Sequence, residues 1–137
     1  MPACQIAIDT CIRVDVERGA ISPADVQQFT REEPVFISPV TIAELTYGTL
    51  MAKSAEVRAK RLAALDRLKK KPLLAIDDIT GDIFGNIAAS LHKEGRRSRH
   101  RVQDLWLASQ AIQCDCAFLT RKRKGFEDIP GLRLVTF

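Results

Sequence analysis

Gln5-Ile6-Ala7-Ile8-Asp9-Thr10 is the stretch that decides the fold: a short apolar run, then an acid, then a hydroxyl. So short a continuous apolar segment predicts a strand buried on both faces over residues 5–8. Asp9 then stands at the strand's end, where an unpaired carboxylate is costly. Charges drawn into apolar surroundings shift their pKa, pair with a cation or coordinate a metal.

Working outward, a helix is expected from Thr10 to about Arg18, ended by Gly19. Ser22-Pro23 reads as cap and first residue of another helix that runs to about Glu33, before Pro34. Val35-Phe36-Ile37 is a second buried strand, and Ser38-Pro39 launches a helix carrying Ile42, Leu45 and Met51. Ser54 starts a long amphipathic helix with Val57, Ala64, Leu65 and Leu68 in a stripe; Lys69-Lys70-Lys71 complements its dipole and Pro72 stops it. Leu73 to Ile76 is the next strand. Asp78 to Glu94 is a helix closed by Gly95, Arg96 to Arg101 an exposed basic connector, and Val102 to Gln113 a further helix. Ala117 to Leu119 is a strand ending at Thr120, and Pro130-Gly131 turns the chain into a last strand, Leu132 to Phe137. Strands alternating with helices predict an α/β fold, a central parallel sheet flanked by helices.

Composition narrows the class. With 137 residues, 46% of them hydrophobic, the chain is expected to form one domain over 1–137 without disulfide or metal staples. Met1-Pro2-Ala3-Cys4-Gln5 has no basic start of a signal peptide, and no apolar run approaches membrane-spanning length, so a cytoplasmic location without membrane association is expected. Cys4, Cys11, Cys114 and Cys116 lack Cys-x-x-Cys spacing; Cys4 and Cys11 read as small core residues, and the other two flank a turn at Asp115. The net charge of +4 is unevenly spread, with Lys93, Arg96, Arg97, Arg99 and Arg101 in one cluster and Arg121, Lys122, Arg123 and Lys124 in another. Positive charge on either side of an acid-bearing segment suits a polyanion, although a solvated surface has the same composition.

Two further acids share the setting of Asp9. Glu44 stands between Ala43 and Leu45, and Asp104 precedes Leu105-Trp106-Leu107-Ala108. In an open parallel sheet the strand C-termini and the N-termini of the covering helices share one edge. Asp9 ends the first strand, Glu44 lies in the second turn of the helix after the second strand, and Asp104 opens the helix leading to the strand that Thr120 ends. Topology thus delivers all three to one rim, where oxygen ligands suit Mg²⁺ or Mn²⁺. The plainer alternative is that Asp9 and Asp104 cap helices, and that Glu44 faces solvent with Leu45 and Tyr47 turned inward.

These segments resemble the PIN-domain nucleases, in particular the VapC-type toxins of bacterial toxin-antitoxin pairs. Ala7-Ile8-Asp9-Thr10 is similar to the family's opening strand and first acid, Ile37-Ser38-Pro39-Val40-Thr41-Ile42-Ala43-Glu44-Leu45-Thr46-Tyr47-Gly48 to its second, and Asp104-Leu105-Trp106-Leu107-Ala108-Ser109-Gln110-Ala111 to its third. Phe118-Leu119-Thr120, Phe126 and Ile129-Pro130-Gly131-Leu132 resemble its closing segment. The resemblance implies a PIN-like three-layer sandwich and a metal-dependent endoribonuclease whose Asp9, Glu44 and Asp104 are catalytic and hold Mg²⁺ or Mn²⁺. Thr10 and Thr120 would support them by hydrogen bonding, and the products would carry 5′-phosphate and 3′-hydroxyl ends. Arg96, Arg97, Arg99, Arg101, Arg121 and Lys122 would bind RNA.

It further implies a VapB-like antitoxin whose C-terminal segment fills the acidic crevice, and a homodimer. The surfaces around Val26 and Phe29 and around Leu62 and Leu65 are candidates for docking, or else ordinary core. Two departures accompany the match. Cys11 stands where many relatives have Asn, and Lys122 and Gly125 stand where relatives place a fourth and a further acid. Glu127 or Asp128 replaces the lost ligand if the loop bends back; otherwise Lys122 contacts the scissile phosphate itself. The alternative function is a cleavage-impaired module that holds RNA or an antitoxin. A phosphotransfer site at Asp77-Asp78 lacks the supporting pattern, because Cys11 breaks the Asp-x-Asp of haloacid-type phosphatases.

Overall fold

The computed structural model describes residues 5–96 and 101–137. Its centre is β1 (Ile6–Ile8), with β2 (Val35–Phe36) on one side and β3 (Ala117–Thr120) then β4 (Arg133–Thr136) on the other. Every pairing is parallel, with Ile6, Ala7 and Ile8 opposite Ala117, Phe118 and Leu119. The predicted α/β class with a parallel sheet is what the chain forms. Because side chains alternate along a strand, the three residues of β1 serve both faces. Ile6 and Ile8 pack with Ile12, Ile21, Val26 and Leu119, under α1 (Thr10–Glu17) and α2 (Pro23–Thr30). Ala7 packs with Phe118, Leu105, Ala108, Leu91 and Ile87 on the opposite face, under α5 (Asp78–Lys93) and α6 (Val102–Gln113). A helix layer on each side completes the sandwich.

Between these layers α3 (Pro39–Leu50) and α4 (Ala55–Leu68) pack on each other, and α3 also leans on α1 and α6. The local signals act as read. Ser22, Ser38 and Ser54 each accept a backbone N–H of the helix they open. Gly19 and Gly95 take positive φ where α1 and α5 end. The helix opened by Ser22 stops at Thr30, three residues short of Glu33.

One predicted strand is missing. Of Leu73 to Ile76, only Leu73 forms a bridge, parallel to Ile37, with Leu74 N–H donating to the Ile37 carbonyl at 2.9 Å. The reason is a buried glutamine. Gln110 Nε2 donates to the carbonyls of Leu74 and Ala75 at 3.3 and 3.1 Å, diverting them from any further ladder, while its Oε1 accepts the Ser38 hydroxyl. A side chain on α6 therefore ties the segment before α5 to the start of α3.

Two other expectations change. Val26 and Leu65 are buried, and Phe29 packs against the core beside Val26, so only Leu62 of the candidate docking residues is exposed. Cys11 is half-buried at the sheet's C-terminal edge rather than in the core, and Cys4 lies outside the described residues.

Replacing Gln110 by leucine strands two buried carbonyls and the Ser38 hydroxyl, so Gln110→Leu is expected to cost about 1–3 kcal/mol of stability. Urea unfolding followed by circular dichroism measures it, with the midpoint lowered and the slope unchanged.

Candidate functional site

The sheet changes direction between β1 and β3, since the chain leaves β1 toward β2 on one side and returns through β3 on the other. The C-terminal ends of these two strands bound the crevice that such a switch creates. Asp9 follows β1 there and is 1% exposed. Its backbone N–H donates to the Leu119 carbonyl at 2.9 Å, while its Oδ2 accepts from the Thr120 hydroxyl at 2.7 Å and the Cys11 thiol at 3.1 Å. Asp9 occupies the N-cap position of α1, yet its side chain makes no capping bond. The capping alternative fails, because the carboxylate points across the strand ends.

Cys11 supplies what composition alone did not reveal. Burial, with the neighbouring Asp9 charge, pushes its thiol up to about 11, so at neutral pH it stays protonated and donates to Asp9. It thereby gives the first acid one of the hydrogen bonds that an amide would offer. The signal in sequence was position alone, two residues after the acid.

Glu44 approaches from α3. Thr10 donates to its Oε1 at 3.1 Å, and the Thr10 and Thr41 hydroxyls are 2.9 Å apart. Tyr47 is 68% exposed and Glu44 half-buried, so the alternative with Tyr47 turned inward does not hold. Burial raises the Glu44 carboxyl above its usual range; the Thr10 bond opposes this, and the charges of Asp9 and Asp104 add to it.

Asp104, in the first turn of α6, is raised by burial and lowered by Lys122, with Asp9 again acting upward. Lys122 Nζ lies 3.7 Å from Asp104 Oδ1. Burial works against its ammonium, but the charges of Asp9 and Asp104 outweigh that and hold the group above its ordinary value. Asp9, Glu44, Asp104 and Lys122 thus share one electrostatic neighbourhood.

The basic residues divide differently. Arg101 grips Asp128 with both terminal nitrogens, at 2.9 and 2.7 Å, and donates to the Gly125 carbonyl at 2.7 Å. Arg96 joins the same carboxylate at 3.0 Å, and Arg121 pairs with Asp15 at 2.9 Å while facing the Phe137 ring. Arg97 and Arg99 lie outside the described residues. Asp128 and Glu127 do not replace the missing acid: Asp128 is held by Arg101 and Arg96, and Glu127 pairs with Arg123. From Glu44 a groove of about 510 Å³ runs between α1, α3 and α4, lined in part by Arg13, Glu17, Leu45, Arg61 and Leu68.

The description PIN domain belongs to the family profile that matches residues 6–132. The chain belongs to the PIN-domain family. It is 31% identical over 104 residues to the ribonuclease VapC5 of Mycobacterium tuberculosis, covering 76% of this chain and 73% of that one. It is 28% identical to the ribonuclease VapC1 of Rickettsia felis, covering 96% and 95%. Its fold matches a chain in the crystal structure of VapBC2 from Rickettsia felis bound to a promoter DNA fragment, with a TM-score of 0.81, 22% identity and coverage of 96% and 98%.

The donor chemistry of this PIN domain fits a hard divalent cation. The charge of Asp9 raises both Glu44 and Asp104, and all three side chains offer oxygen. Among the described residues no three His, Cys, Asp or Glu are drawn together as a finished metal cage. A Mg²⁺ or Mn²⁺ ion that keeps several waters needs only one or two direct carboxylates.

A carboxyl raised in the folded state binds its proton more tightly than in the unfolded chain. Its contribution is therefore most favourable at low pH and falls as pH climbs from the ordinary carboxylate range through the raised folded-state value. Glu44→Gln is expected to raise the melting temperature of the metal-free protein at pH 7, with the gain shrinking below about pH 4. Calorimetry across that range checks the sign.

Proposed function

We propose that residues 1–137 act as a single-domain endoribonuclease, the toxin of a toxin-antitoxin pair, with Asp9, Glu44 and Asp104 as its catalytic and metal-holding acids. The observation that carries this reading is the convergence of the three carboxylates with Thr10, Thr120 and Lys122 at the switch between β1 and β3. The names of VapC5 and VapC1 as ribonucleases support the substrate class. A bound Mg²⁺ or Mn²⁺ supplies a Lewis acid and a nucleophilic water at neutral pH.

The chain's own residues do the rest. Thr120 fixes the Asp9 carboxylate and Thr10 orients that of Glu44, the groups that would hold the ion. Lys122, half exposed, offers its ammonium to the incoming phosphate. The run Arg121 to Lys124 is exposed and continues that positive surface along the RNA backbone. Arg96 and Arg101 act chiefly by bracing this loop through Asp128.

The partner is a VapB-like antitoxin, a reading supported by neighbours solved as VapBC complexes. Its segment would lie in the groove beside Glu44, where Arg13, Arg61, Glu17 and Glu44 flank apolar walls. The active form is a cytoplasmic homodimer.

A second reading, binding of RNA or antitoxin without efficient cutting, is favoured by one contact, the Lys122 ammonium resting on Asp104. The two separate cleanly. Purified protein is expected to cut a structured RNA in Mg²⁺ or Mn²⁺, to stop on chelation, and to lose at least about a hundredfold in rate on Asp9→Asn. Unchanged cutting by Asp9→Asn sinks the mechanism, and RNA binding with no metal-dependent product moves the assignment to the second reading.

A further inference from the structure

Lys122 is not a surface lysine that happens to reach an acid. Its backbone N–H donates to Thr120 Oγ1 at 2.9 Å, and that same hydroxyl donates to Asp9 Oδ2 at 2.7 Å. The position of its Cα is therefore tied to the first carboxylate while its ammonium reaches the third. The loop is clamped from behind, since Arg101, just before α6, holds both the Gly125 carbonyl and Asp128. Gly125 also faces the site: a Cβ there would lie 3.7 Å from Asp104 Oδ2 and 3.9 Å from Lys122 Cβ. The loop thus presents two positions to Asp104, and neither carries a carboxylate. Its remaining acids, Glu127 and Asp128, are engaged by Arg123 and Arg101.

Charge balance gives this arrangement its meaning. Three ionised carboxylates and one ammonium leave a formal excess of two negative charges, which one divalent ion neutralises. With an acid at position 122 the same centre would carry four negative charges and call for two such ions.

We propose that Lys122 is a tethered cation that takes the place of a second divalent ion, so that the acidic centre binds one ion per chain. This rests on the reading of the centre as a divalent-ion site. Lys122 then covers Asp104 in the free protein and turns to phosphate when RNA arrives.

Isothermal titration of the full chain with Mn²⁺ tests it. Wild type is expected to bind one ion, Lys122→Asp to bind two, and Lys122→Met to bind one ion about tenfold more tightly, because a like charge has been removed from beside the site. Two ions on wild type overturn the proposal. So does one ion on Lys122→Asp together with unchanged affinity in Lys122→Met, and the methionine variant keeps the test valid should the aspartate variant fail to fold. RNA cutting is followed in the same preparations: one ion bound without cutting counts against the nuclease and leaves the tethered cation standing, while cutting with two ions bound does the reverse. No Mn²⁺ bound by any of the three sinks both.

Discussion

A carboxylate with almost no access to solvent, at the end of the central strand, is the constraint around which this fold is arranged. Removing Asp9 from water without partners would cost several kcal/mol. The structure offsets this with two donors to the same oxygen, the Thr120 hydroxyl and the Cys11 thiol. The first depends on register. Thr120 reaches Asp9 only because Ile8 pairs with Leu119, and the Asp9 N–H closes on the Leu119 carbonyl. The core packing that sets the register therefore also sets the chemistry, and a one-residue slip of β3 would carry Thr120 to the other face.

The same logic explains why the remaining acids stay where they are. Glu44 and Asp104 come from helices on different parts of the sandwich and meet only at the rim, each with one stabilising contact, Thr10 for Glu44 and Lys122 for Asp104. Burial and the charge of Asp9 raise both carboxyls. Such a centre is unfavourable in the free protein and is partly relieved by the Lys122 ammonium.

Much of this was legible in the chain itself, and the failures have physical causes. The apolar run at Ile6-Ala7-Ile8, the Ser-Pro helix starts and the terminating glycines are local signals, and each formed as read. The three acids were legible because topology alone carries strand ends and helix starts to one edge. What sequence could not show was set by side chains meeting over long separations. Gln110 consumes the carbonyls that would have extended a strand at Leu73 to Ile76. Cys11 looked like a core residue because a thiol's role depends on which acid lies across from it. Arg96, Arg101 and Arg121 counted as charges for RNA, yet the carboxylates they hydrogen-bond lie 27 to 106 residues away in sequence.

Those pairings change what the basic composition means. An exposed ion pair contributes little to stability, but the Arg101 to Asp128 fork is largely buried, bidentate and joined to a backbone carbonyl, which gives it geometric authority over the loop. Arg101 stands immediately before α6, the helix that carries Asp104. The clamp therefore fixes the distance between Asp104 and the segment that bears Lys122. Positive charge spent on Asp128 is withdrawn from any polyanion. Lys122, on the exposed side of that loop, is the cation the clamp holds beside Asp104.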